Sequence, residues 1–69
     1  MTKELHFTQS EFFDNAWHMA ASLREDSPED DPITIWEIAK EFTLEGFITM
    51  AERMGAKFVS IGGIRITTH

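Results

Sequence analysis

Residues 33–54, ITIWEIAKEFTLEGFITMAERM, carry the reading on which the fold turns. One pattern occurs twice within them: an apolar residue, a threonine, three residues, an apolar residue. Ile33-Thr34 is followed by Ile38, and Phe42-Thr43 by Phe47. A threonine at a helix start accepts a hydrogen bond from an orphan backbone N–H, and the apolar residue before it packs on the one four places into the helix. Each instance therefore predicts a helix entry, and the stretch reads as two helices, about 35–42 and 44–54. Glu37, three after Thr34, completes a capping box; Gly46 takes that place in the second instance. The first of these helices is expected to bury Ile35, Ile38, Ala39 and Phe42, with Trp36 at the edge of its stripe. The second turns Leu44, Phe47, Ile48, Ala51 and Met54 inward and ends at Gly55, a left-handed C-cap.

Working outward, the same entry stands at Phe7-Thr8 with Phe12, and Glu11 completes its capping box. A helix over about 9–24 follows, with Phe12, Phe13, Ala16, Met19, Ala20 and Leu23 on one arc and Trp17 at its margin. Ser27 and Asp31 each precede a proline, which disfavours helical backbone, so the turn Glu25–Asp31 separates this helix from the next. Downstream, 57–68 consists of two β-rich runs around Gly62-Gly63 and reads as a hairpin with a two-residue turn. That turn pairs Ile61 with Ile64 and Val59 with Ile66, placing all four on one apolar face. Lys3–Phe7 alternates like a strand and is a candidate third member of the sheet. The sequence thus predicts one small α+β domain over 1–69: a three-helix core, a C-terminal β-hairpin and a short N-terminal strand.

A chain of 69 residues leaves room for a single small core. The absence of cysteine excludes disulfides, thiolate metal sites and thiol nucleophiles. No apolar run reaches the length of a membrane span, and Met1–Phe7 carries Lys3, Glu4 and His6 where a signal peptide needs apolar residues, so a cytoplasmic protein is expected. The formal charge is −6, and it is unevenly spread. Residues 1–52 hold all twelve acids with only Lys3, Arg24 and Lys40, whereas 53–69 hold Arg53, Lys57 and Arg65 and no acid. An acidic body of this kind repels phosphate and favours a basic partner.

Three helices followed by a hairpin resemble a winged helix over roughly Ile33 to Thr68. Ile35, Ile38, Ala39 and Phe42 match the buried positions of the first helix of a helix-turn-helix, and the tight Thr43-Leu44 connection matches its turn. The resemblance implies a DNA-binding transcriptional regulator, with Thr49, Arg53, Lys57 and Arg65 facing nucleic acid. The chain departs from the pattern where the second helix ordinarily buries aliphatic residues, because Thr49 and Glu52 stand there, and the turn lacks its usual glycine.

Candidate chemistry elsewhere is sparse. The turn Glu25–Asp31 has five carboxylates in seven residues, but not the alternation, glycine and terminal glutamate of a calcium loop. Asp14 and His18 have the spacing of a helical pair and no third ligand on a neighbouring element. No serine lies in a nucleophile-elbow context, and Gly62-Gly63 lacks the lysine and helix of a phosphate loop. No enzyme, metal or cofactor is expected. Six phenylalanines, two tryptophans and four methionines are a large apolar complement for one small core, and tryptophans at stripe edges are the residue type that anchors protein interfaces. The leading expectation is a small acidic protein-interaction module that inhibits or modulates a larger basic or nucleic-acid-binding protein. Its size and charge resemble those of small regulators encoded by phages or mobile elements. Glu25, Asp26, Glu29, Asp30 and Asp31 would supply charge, and Trp17 and Trp36 the anchors. The winged-helix DNA binder is the alternative, and a homodimer joined through the hairpin edge is a third expectation.

Overall fold

The structure, a computed structural model, describes residues 3–68. Its elements run β1 (Glu4–Phe7), α1 (Gln9–Asp26), α2 (Pro32–Arg53), β2 (Phe58–Ile61) and β3 (Ile64–Thr67). The fold is α+β, with two helices and a three-stranded sheet in the order β1-β2-β3. β1 runs parallel to β2, with Leu5 opposite Val59 and Phe7 opposite Ile61. Parallel neighbours require a long crossover, and here α1 and α2 together provide it as a helical hairpin. The molecule is a rod of 47 × 20 × 14 Å, with the sheet at one end and the Ser27–Asp31 turn at the other.

The first helix starts as its sequence predicts. The Thr8 hydroxyl accepts from the Glu11 N–H at 3.0 Å, and the Glu11 carboxylate accepts from the Thr8 N–H at 3.1 Å. α1 runs two residues further than expected, to Asp26, and stops where Ser27 leaves helical geometry ahead of Pro28. The second entry is corrected. Asp31, not Thr34, is the N-cap of α2: its carboxylate accepts from the Thr34 N–H at 3.3 Å and the Thr34 hydroxyl at 3.4 Å. Pro32 fits the first helical position because no partner is needed there for an N–H. Ile33, expected to staple onto Ile38, is instead 72% exposed.

The third entry does not exist. Helices expected at 35–42 and 44–54 are one helix of 22 residues. Thr43 is buried inside it, and its hydroxyl donates to the Ala39 carbonyl one turn earlier at 2.8 Å. With the side chain satisfied along the helix and no proline nearby, nothing interrupts the backbone ladder. Ile35, Ala39, Thr43 and Phe47 form one buried ridge at i+4 spacing, so burial also runs straight through the expected break. A helix-turn-helix is therefore absent, and the hairpin belongs to a three-stranded sheet.

Two apolar clusters hold the rod together. Near the turn, Ala20 packs with Ile35 and Ala39, joined by Met19, Leu23 and Trp36. Ala16, Ala20 and Ala39 are small enough for the helix backbones to approach closely. At the sheet end, Phe47, Ile48, Ala51 and Ala56 enclose Val59, which has no solvent exposure. The hairpin register is the one expected, Val59 opposite Ile66 and Ile61 opposite Ile64, and Gly62 and Gly63 adopt φ of 58° and 88°. Only glycine enters two successive left-handed positions without strain. The expected apolar face is only partly covered, however, because Ile64 is 70% exposed.

Candidate protein-interaction site

α1 and α2 bring Trp17 and Trp36 together on one side of the helical hairpin. The two indoles meet edge to face, with ring centroids 6.2 Å apart, and Phe13 stacks on Trp36 at 6.1 Å. The run of rings continues through Phe12 to Phe47 and Phe7, so aromatic contacts extend from the exposed flank into the core of the sheet end. Phe47 is buried and Trp36 half-buried, whereas Phe13 is 40% exposed and Trp17 is 65% exposed. Lys40 holds its ammonium 5.8 Å from the Trp36 ring and 3.0 Å from the Glu37 carboxylate, which fixes that edge of the patch.

The five carboxylates lie beyond the indoles at the far tip. Glu25 and Asp26 close α1, Glu29 and Asp30 occupy the turn, and Asp31 caps α2. All five are exposed. Trp36 stands five residues from Asp31, about 7.5 Å along the helix axis, and Trp17 nine from Asp26, about 14 Å. The tip thus presents charge and the adjoining flank presents aromatic surface. Asp31 has a structural duty as well, since its carboxylate is occupied by Thr34. Among the described residues, no three histidine or acidic side chains converge as metal ligands would.

The residues expected to face nucleic acid do not form one surface of a recognition helix. Thr49 and Arg53 are exposed one turn apart at the C-terminal end of α2, and Lys57 follows Gly55-Ala56. Arg65 lies on the outer sheet face, where its guanidinium donates to Glu4 at 3.2 Å and sits 4.1 Å from the centre of the Phe58 ring.

Several exposed apolar side chains escaped the sequence reading, which placed them in the core. Phe13 and Ile64 border a cleft of about 230 Å³ with Phe12, Leu44 and Ile66. Phe42 and Met54, both expected inward, are 51% and 53% exposed. A helix that continues through Thr43 turns the Phe42 ridge away from α1. The helical spacing of apolar residues alone could not reveal this, because it depends on α2 being one rod.

No protein-family model matches the chain, and neither a curated protein nor a solved structure matches it. No helix among the described residues is long and apolar enough to cross a membrane.

Proposed function

We propose that this protein is a small acidic interaction module of the cytoplasm that inhibits or modulates a larger partner with a basic or nucleic-acid-binding surface, and that it docks through the tip of the helical hairpin. The observation that carries the reading is Trp17, an indole left 65% exposed against Trp36 beside a tip of five carboxylates. Water-exposed tryptophan is a poor choice for a surface without a partner, and tryptophan is enriched among the anchors of interfaces. Trp17 and Trp36 supply the buried contact. Glu25, Asp26, Glu29 and Asp30 supply the field that draws a basic surface in, standing where phosphates would otherwise lie. The size and charge of the chain support a regulator of the kind that phages and mobile elements encode.

The alternative, a DNA-binding regulator, has less support. Its reading helix is the end of a longer rod, Arg65 is paired with Glu4, and three basic side chains spread over Arg53, Lys57 and Arg65 would give weak phosphate binding. The test is capture from a lysate of the source organism with and without nuclease, followed by association kinetics on the retained protein. The module reading expects one protein retained in stoichiometric amount after nuclease. Reversing Glu25, Glu29 and Asp30 to lysine should slow its association at low salt, and Trp17→Ala should speed its dissociation. Retention that disappears with nuclease, leaving duplex fragments, would reject the reading in favour of the alternative.

A further inference from the structure

The other flank of α2 carries a second apolar feature. Phe42, Met50 and Met54 are 51%, 46% and 53% exposed, and with Gly46 they follow one another at four-residue steps. On a helix of 3.6 residues per turn, Phe42 lies about 120° around the axis from Trp36, and Met50 and Met54 stand about 21 and 27 Å further along it, so this ridge is separate from the aromatic flank. Gly46 is exposed in the middle of the 22-residue helix. A Cβ built on it would meet nothing within 4 Å. Glycine at such a position weakens a helix relative to alanine. Nothing inside this fold requires the missing side chain. Its physical consequence is a notch, a gap in the row of exposed apolar side chains, the kind of place where a missing side chain lets another backbone approach closely.

A ridge at i+4 spacing is the element that interdigitates in the commonest mode of helix packing. Met50 and Met54, on one side of the notch with Phe42 on the other, adapt to varied apolar side chains, as methionines do on helix-binding surfaces. The charge around the ridge selects the occupant. Glu41 and Glu45 flank Phe42 and Gly46 on the outer side and are exposed. Lys40 points to the other flank, held over Trp36, and the one basic residue of α2 near the ridge is Arg53 at its C-terminal end. A second copy crossing antiparallel at Gly46 would set Glu45 of one chain beside Glu45 of the other, about 3 Å apart along the axis, an arrangement that like charges disfavour.

We infer that the Phe42–Gly46–Met50–Met54 ridge is a docking site for a basic amphipathic helix of a protein partner, whose apolar stripe crosses α2 at Gly46 while its lysines or arginines meet Glu41 and Glu45. The site is independent of the Trp17–Trp36 tip, so either can fail alone.

The probe is a fluorescent 18-residue leucine/lysine peptide patterned as an amphipathic helix, titrated with the 69-residue chain at physiological salt. Two controls accompany it, a scrambled peptide of the same composition and a leucine/glutamate counterpart. Binding of the patterned lysine peptide is expected to exceed that of both controls, and Phe42→Ala with Met50→Ala to weaken it roughly tenfold or more. Gly46→Leu should abolish the preference for the patterned peptide, because the new side chain fills the notch. Gly46→Ala keeps the test clear of misfolding, since it should raise the thermal midpoint of the free protein while lowering peptide affinity. Trp17→Ala should leave peptide affinity unchanged. Equal binding of patterned and scrambled peptides, or full affinity in Gly46→Leu, would overturn the inference. So would a dimer in sedimentation that Gly46→Leu dissolves, because the occupant would then be a second copy.

Discussion

The Thr43 hydroxyl donates to the Ala39 carbonyl at 2.8 Å, in the middle of α2 at a buried position. A capping threonine accepts from an N–H ahead of it, whereas this one donates to a carbonyl behind it. The direction of one hydrogen bond therefore separates a two-helix protein from a three-helix one.

Thr43→Val is the direct check. Valine keeps the shape and removes a buried hydroxyl whose acceptor, the Ala39 carbonyl, also belongs to the helix ladder, so stability should change by less than about 1 kcal/mol and helix content should hold. A capping role would instead lose about 1–2 kcal/mol. Chemical denaturation followed by circular dichroism distinguishes the two.

The caps of α1 and α2 should be visible against their neighbours. Thr8→Ala breaks both halves of a capping box and Asp31→Ala removes the acceptor for Thr34, and each should destabilise by about 1 kcal/mol. Asp30→Ala, one residue away with no capping contact, should have a much smaller effect. Equal midpoints for Asp30→Ala and Asp31→Ala would place the start of α2 elsewhere.

Arg65 and Glu4 join the two outer strands across the central one, with the Phe58 ring beneath the guanidinium. Arg65 is well exposed, so solvent and salt screen the pair, and its coupling in a double-mutant cycle with Glu4→Gln and Arg65→Gln should be about 0.5 kcal/mol and fall as salt rises. Part of the loss on Arg65→Ala should survive at high salt through the contact with Phe58. A coupling that ignores salt would contradict this geometry.

The sheet face shared by Val59 and Ile64 should prove unequal. Val59 is fully enclosed, and Val59→Ala should cost about 2 kcal/mol through lost burial and the cavity left behind. Ile64 is largely in water, and Ile64→Ala should change stability by less than about 0.5 kcal/mol. Urea denaturation of the two variants checks both numbers.

Much of this protein was determined locally. Thr8 and Glu11 fix the start of α1, Pro28 and Pro32 fix the turn, and Gly62-Gly63 fix the hairpin register, because each acts on backbone within a few residues of itself. The alternation of Lys3–Phe7 foretold a strand, and the acidic turn and both tryptophans were legible as candidate contact residues. Their arrangement was not. Whether Thr43 begins a helix or continues one depends on tertiary packing, against α1 and the sheet, that buries Ala39, Thr43 and Phe47 as a single ridge. The contact of Trp17 with Trp36, the pairing of Arg65 with Glu4 and the outward turn of Phe42 and Met54 likewise arise only when two helices and three strands meet. Residues near in sequence share a backbone whose hydrogen bonds a short pattern can specify, whereas residues far apart become neighbours through packing of the whole chain, which no local pattern encodes.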